Sequence, residues 1–263
     1  MRTKTETPMR MTDGLYVFLG PTLPRTDAAR LLDATYLPPV AQGDIIRLCE
    51  RKPRAIGIVD GYFENIPSVW HKEILHAIHQ GVAVFGASSM GALRAAELHP
   101  FGMIGVGAVF EAFRDGRLED DDEVAVIHGP AELGYPSLSE AMVNIRRTLA
   151  DAAQEGVVPA ATARRLESIA KALPYRERGY GRVFRLAAAE GLAEEELADL
   201  RHWLPNGRCD QKREDARDLL GTMRRWAMDG GRAPEARFHF EHTALWDRAL
   251  RDGAHSRTGN PLD

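Results

Sequence analysis

Ser88 and Ser89 lie side by side between glycines in the segment GASSMG, residues 86–91, which could present a nucleophile. An apolar run before it, residues 82–85, predicts a buried strand, and residues 92–98 predict a helix. A serine at such a turn is held out of the turn, and N–H groups at the helix start can stabilise an oxyanion. The spacing is one residue longer than the G-x-S-x-G turn of serine hydrolases, so an anion-binding turn or helix cap is the alternative.

A serine nucleophile needs a base and a carboxylate that orients the base. His128 follows the apolar residues 124–127, which predict a strand, so we expect its imidazole at a strand end. The carboxylate is either Asp60, at the end of the strand predicted for residues 55–59, or one of Asp120 to Asp122. The structural alternatives are a histidine that only packs beside Gly-Pro and an aspartate that only caps a turn.

Other groups of polar residues give weaker evidence for a functional site. Arg94 and Glu97 lie three residues apart on the predicted helix and most simply form an ion pair. His71, His76 and His79 share another predicted helix, but His71 lies about 100° from the other two, which disfavours a three-ligand metal site. We therefore expect no metal and, without a Walker A or G-x-G-x-x-G motif, no nucleotide cofactor of the chain's own.

Apolar runs alternate with helical patterns in the first half of the chain, which predicts an α/β fold with a doubly wound, mainly parallel sheet. Strands are expected at residues 15–19, 55–59, 82–85 and 124–127, and residues 37–40, with two prolines, as an extended connection. The carboxyl ends of parallel strands share one edge, where ligands bind. The candidate substrate contacts near this edge are Gly20, Pro21, Thr22, Gly61, Tyr62, Met90, Gly91, Arg94, Glu97 and Glu132.

After residue 150 the pattern is helical throughout. Helices are expected over residues 139–155, 160–172, 182–190, 194–200 and 211–228. The predicted organisation is a flexible N-terminus (1–14), an α/β core (15–150), an all-helical C-terminal part (151–252) and a frayed tail (253–263).

Composition excludes several classes of protein. The net charge of −4 offers no footprint for nucleic acid, although arginines cluster between residues 164 and 185. No apolar run approaches the roughly 20 residues that span a bilayer, and the N-terminus lacks a secretory segment, so we expect a cytoplasmic protein without a membrane partner. The two cysteines, Cys49 and Cys209, are too few for a disulfide framework or a thiolate metal site.

Several long segments of the sequence resemble one protein family. They are VDGYFENIPSVWHKEILHAIHQGVAVFGASSMGALRAAEL (59–98), FGMIGVG, FEAFRDGRLEDDDEVAVIHGPAELGYPSLSEAMVNIR and the opening VFLGPTL. Together they resemble TfuA-like proteins over residues 15–150, with looser similarity at KREDARDLL and FEHTALWD. Several long segments that occur in the same order identify a family more specifically than any single motif does.

The resemblance implies a partner role in thioamidation. Proteins of this family accompany YcaO enzymes, which use ATP and Mg²⁺ to replace a backbone amide oxygen by sulfur in ribosomal peptides of the trifolitoxin type or in methyl-coenzyme M reductase. The implied task is release of sulfide by hydrolysis of a thiocarboxylated, ubiquitin-like sulfur-carrier protein. In that scheme Ser88 or Ser89, His128 and Asp60 are the candidate catalytic residues. A non-catalytic adaptor that docks YcaO and presents carrier or substrate is the alternative, and a generic serine esterase is a weaker third.

Overall fold

A computed structural model describes residues 13–62 and 66–255 of the 263-residue chain. Its centre is a sheet of five parallel strands in the order β2-β1-β3-β4-β5. The strands are β1 Leu15–Phe18, β2 Thr35–Leu37, β3 Ala55–Ile58, β4 Ala83–Ala87 and β5 Ile104–Val106. The predicted α/β class with a parallel sheet in the N-terminal half is confirmed. Residues 1–12 of the predicted flexible N-terminus, Phe63, Glu64 and residues 256–263 of the predicted tail lie outside the described residues.

Helices cover both faces of the sheet, which explains why β3 and β4 are apolar at every position rather than at alternate ones. The helices are α1 Arg25–Leu31, α2 Asp44–Cys49, α3 His71–His79, α4 Met90–Leu98, α5 Ala108–Arg114, α6 Met142–Gln154, α7 Ala160–Ala172, α8 Tyr180–Ala189, α9 Glu194–Gly207, α10 Gln211–Met228 and α11 Ala244–His255. On one face, Ile56 and Ile58 of β3 pack in a core with residues of α2, α3 and α4.

The opposite face of the sheet is closed by α1 and α10. Val17 and Phe85 pack there in a core with Leu219 and Met223, all buried. Since α10 comes from the C-terminal helical region, the sheet is completed by residues more than 100 positions away in sequence.

The C-terminal region is helical, as predicted. Helices α6 to α9 enclose a core of their own around Ile145, Leu166 and Phe184, while α11 lies against α2 through Trp246 and Ile46. In the described part of the chain no helix combines the length and the apolar character needed to cross a membrane.

The prediction of a strand at residues 124–127 is wrong. A 3-10 turn, Asp121–Glu123, leads into an irregular segment whose backbone groups bond outside the sheet. Ile127 N donates to Ser139 Oγ at 2.9 Å, and Leu138 N donates to Ile127 O at 2.8 Å. Because a nearby loop satisfies these groups, the apolar run needs no neighbouring strand, and His128 does not end one.

Two strands were not predicted as such. Residues 35–37, at the start of the expected extended connection, pair in parallel with β1, with Tyr16 opposite Thr35. The edge strand β5 pairs with β4, with Phe85 opposite Ile104. Both strands have only three residues, too few to show a period in the sequence.

The acidic run before residue 124 forms an ion-pair network with the helical region. Lys171 Nζ contacts carboxylates of Asp120, Asp122 and Glu123. Arg178, fully buried, donates to Asp122 Oδ2 at 2.7 Å and to the carbonyls of Leu173 and Ala170. This network ties the segment after α5 to the end of α7.

We expect Arg178→Met to lower the free energy of unfolding by about 3–5 kcal/mol, because it strands a paired carboxylate and several buried carbonyls. Arg182→Met is the matched control, since Arg182 pairs with Glu177 with both side chains about half exposed. Its effect should stay within about 0.5 kcal/mol. Urea unfolding of both variants measures the difference. Equal losses of unfolding free energy would show that the ion pair and hydrogen bonds of Arg178 do not stabilise the fold more than an exposed ion pair does.

Candidate functional site

A cleft of about 340 Å³ opens at the carboxyl ends of β1, β3 and β4. In the strand order 2-1-3-4-5 the chain reverses direction across the sheet between β1 and β3, and such switch points form crevices that bind ligands. The strand ends contribute Pro21, Asp60, Gly61, Tyr62, Ser89 and Met90, and the wall is Val124 to His128. The lining is completed by Ile66, Leu93, Asp121, Tyr175 and Arg176.

The two serines have different surroundings. Ser88 has a φ of 71°, and Ser89 N donates to Ala87 O at 2.8 Å, which closes a tight, strained turn around Ser88. Ser88 is fully buried, and its Oγ has no partner among the described residues. Ser89 is half-buried, lines the cleft, and makes no side-chain bond that caps α4. Of the two hydroxyl-bearing residues, Ser89 is therefore the one that faces the cleft.

Gly91 lets the first turn of α4 press against β3. A Cβ at this position would lie 1.7 Å from Ile58 O, and Gly91 N donates to Val59 O at 3.2 Å. Its role in the structure is close packing rather than contact with a ligand. The N–H of Met90, the first residue of α4, has no acceptor in the described part of the chain, and Met90 lines the cleft, so this N–H is a candidate donor to a developing oxyanion.

Asp60 is buried and holds the turn that follows β1. Its Oδ2 accepts from Gly20 N at 2.8 Å and Thr22 N at 3.1 Å, and its Oδ1 accepts from Thr22 Oγ1 at 2.6 Å. These bonds join the ends of β1 and β3, which form the floor of the cleft. Gly20 and Thr22 thus act through Asp60 and do not line the cleft.

His128 lies on the cleft wall with its imidazole set in one tautomer. Its Nδ1 lies 2.8 Å from Gly129 O, and because a carbonyl only accepts, Nδ1 carries the proton and Nε2 of the neutral ring carries the lone pair. The ring packs edge-on against Tyr135, whose pKa burial raises to about 12, with Tyr62 adding to the effect. Among the described residues no hydrogen bond joins His128 to Ser89 or Asp60.

A family comparison covers this cleft. Residues 60–179 match the family model described as TfuA-like protein. Over these residues the chain is similar to TfuA-like proteins. The match confirms the resemblance seen in the sequence and includes Asp60, Ser89, His128 and Arg176, although the Gly20–Thr22 turn and α10 lie outside it. A search of curated proteins finds no match to the chain.

Three candidates from the TfuA-like segment lie away from the cleft. Arg94 Nη1 donates to Glu97 Oε2 at 2.8 Å, and His71 Nε2 lies 2.7 Å from the same oxygen. Burial opposes ionisation of Glu97, yet the hydrogen bonds from His71 and Arg94 outweigh it and lower its pKa. Glu132 is exposed in the loop between His128 and Ser137. These charges belong to the surface of the protein.

Groups that could bind a metal have other partners. The histidines of α3 do not converge, since His71 bonds to Glu97 while His76 and His79 pack against Phe240. In the described part of the chain, one acidic group has ligand atoms close enough for an ion, within 4.8 Å of one another; it comprises Asp120, Asp122 and Glu123. The ammonium of Lys171 contacts all three carboxylates, Arg146 also pairs with Glu123, and Arg178 also pairs with Asp122, so three cations already balance the three negative charges.

Sequence reasoning missed residues that helical segments bring to the site. Tyr175 and Arg176 reach the cleft from the 3-10 turn before α8, and the sequence showed only a cluster of arginines there. Lys212, at the start of α10, is buried behind the cleft wall. A lysine in an otherwise polar helix start gives no sequence signal that it is buried.

Proposed function

We propose that this protein releases sulfide by hydrolysing a thiocarboxylated sulfur-carrier protein, for a YcaO enzyme that thioamidates a ribosomal peptide or protein. The TfuA-like family supports a role in the trifolitoxin and thioamidation type of pathway. The observation that carries the hydrolytic step is one cleft lined both by Ser89, whose side chain caps nothing, and by His128, whose Nε2 is free to accept a proton.

The chemistry needs water and no cofactor of this chain. Ser89 Oγ attacks the thiocarboxylate carbon as His128 Nε2 takes the hydroxyl proton. The C–S bond then breaks, and the sulfur leaves with that proton as hydrosulfide. Water attacks the resulting ester with His128 again as base, which frees the carboxylate and Ser89. ATP and Mg²⁺ are used by the YcaO partner in the later step.

The turn around Ser88 supplies the remaining elements. The Met90 N–H, next to Ser89 in the chain and first in α4, is the candidate donor to the tetrahedral oxyanion. Asp60 keeps the cleft floor in place through Gly20 and Thr22. A cleft of this volume takes the end of an extended peptide while the folded carrier stays outside.

An adaptor role is the second candidate. Leu133 and Leu138, 72% and 68% exposed, flank the loop beside His128, where a protein partner could dock. The missing hydrogen bond between His128 and Ser89 also suits an adaptor, although catalytic hydrogen bonds are often loose before substrate binds.

Incubation of the purified protein with a thiocarboxylated carrier protein, alone and with a YcaO enzyme, separates these roles. We expect the protein alone to release sulfide and leave a carrier with a carboxylate end, measured by sulfide capture and by intact mass. A catalytically inactive YcaO protein is the control for effects of binding. Release that occurs only with active YcaO would contradict hydrolysis by this chain and support the adaptor.

A further inference from the structure

Lys212 is a buried cation behind the cleft. Lys212 is only 4% exposed to solvent, and its Nζ donates a hydrogen bond to Val124 O at 2.8 Å. Burial lowers the pKa of Lys212, while the negative charges of Asp60, Asp210 and Glu140 oppose that shift. Lys212 therefore contacts the cleft wall through Val124, and its charge interacts with that of Asp60.

A small polar cavity of about 30 Å³ adjoins this lysine. It is lined by Lys212 and Thr22 among others, and it shares Pro21 and Val126 with the cleft. Lys212 does not line the cleft itself, so it cannot touch a substrate there. Whatever it contributes to a reaction must act through the residues that it holds.

We infer that Lys212 is a positioning residue, whose ammonium fixes the wall segment that carries His128 and balances the charge of Asp60 on the cleft floor. The inference rests on the proposed hydrolysis for its effect on rate. Burying an ammonium is costly, and here the bond to Val124 O and the charges of the nearby carboxylates offset that cost.

Three variants separate its charge from its length. Lys212→Met removes both the charge and the donor, Lys212→Gln keeps an N–H donor without charge, and Lys212→Arg keeps the charge. The matched control is Lys72→Met, since Lys72 is a cation over the rings of Phe240 and Trp246 and does not line the cleft.

We expect Lys212→Met to lower kcat for sulfide release roughly 10- to 100-fold with KM little changed, because a displaced base loses near-attack geometry. Amide hydrogen exchange over residues 124–128 should be about tenfold faster, as expected for the loss of one hydrogen bond. The unfolding midpoint should fall, because Val124 O loses its donor and the nearby carboxylates lose their counter-charge. Lys212→Arg should recover more of both readouts than Lys212→Gln, and Lys72→Met should change neither.

Unchanged exchange and unchanged kcat in Lys212→Met would overturn the inference. So would losses of activity and stability in parallel that Lys212→Arg does not rescue, since these indicate only a packing role. If the Met variant does not fold, the Gln and Arg variants decide the matter by the same comparison. Should the wild type release no sulfide, the proposed hydrolysis fails, and hydrogen exchange alone tests the positioning.

Discussion

Ser89→Ala should reduce sulfide release from a thiocarboxylated carrier by about 10⁶-fold, the loss typical of a removed serine nucleophile. Ser89 lines the cleft with His128, and its hydroxyl caps no helix, so the substitution removes a reactive group without removing a structural bond. Single-turnover assays with sulfide capture measure the rate, and mass spectrometry of wild-type protein quenched early should show an acyl adduct that the variant lacks.

Ser88→Ala is the control that the chain itself provides. The Ser88 hydroxyl is buried without a partner in the described part of the chain, so its removal should leave activity within about threefold and stability equal or slightly higher. Loss of activity in Ser88→Ala with full activity in Ser89→Ala would reverse the assignment. Full activity in both variants would eliminate the covalent route and leave water activated by His128.

Gly91→Ala should destabilise the protein by about 4 kcal/mol or more, enough to unfold many domains of this size. The added methyl group would lie 1.7 Å from Ile58 O, so α4 must move away from β3 and take the Ser88–Ser89 turn with it. We expect a large fall in the urea midpoint and, in whatever fraction folds, loss of sulfide release. Circular dichroism during urea unfolding measures the first effect.

Gly181→Ala is the matched substitution. Gly181 lies in the first turn of α8, and a Cβ there meets nothing within 4 Å. Alanine should therefore be neutral or stabilise by up to about 1 kcal/mol, from helix propensity alone. A similar small effect at Gly91 would mean that α4 is not held against β3 as described.

The parallel sheet was predictable because its central strands are continuous apolar runs followed by glycine-rich turns. The run AIGIV and the run VAVF each signal a strand buried on both faces, and their ends carry Asp60 and the two serines. The same rule failed at residues 124–127, where an equally apolar run packs as cleft wall because Ser139 and Lys212 satisfy its backbone. The apolar composition of a segment indicates that it is buried. It does not indicate which groups form hydrogen bonds with its backbone.

The choice between Ser88 and Ser89 lay beyond the sequence. Two adjacent serines are equivalent in composition, and only the left-handed backbone at Ser88 turns one hydroxyl inward and leaves the other residue at the cleft. Asp60 was predicted as the partner of His128, a role that the structure does not test. Its oxygens hold Gly20 and Thr22, and no bond to His128 is present among the described residues.

By itself the sequence determined the α/β class, the strand ends that carry the candidate chemistry and the TfuA-like resemblance, because these depend on local patterns and on words read in order. Only the tertiary structure decided that the cleft wall is not a strand, that Tyr175 and Arg176 reach the cleft, and that Lys212 lies behind it. The bond from Lys212 to Val124 O joins residues 88 apart in the chain, and it forms because α10, which carries Lys212, closes the second face of the sheet. No local pattern encodes where a distant helix will dock, since its burial there is set by the shape of the assembled core.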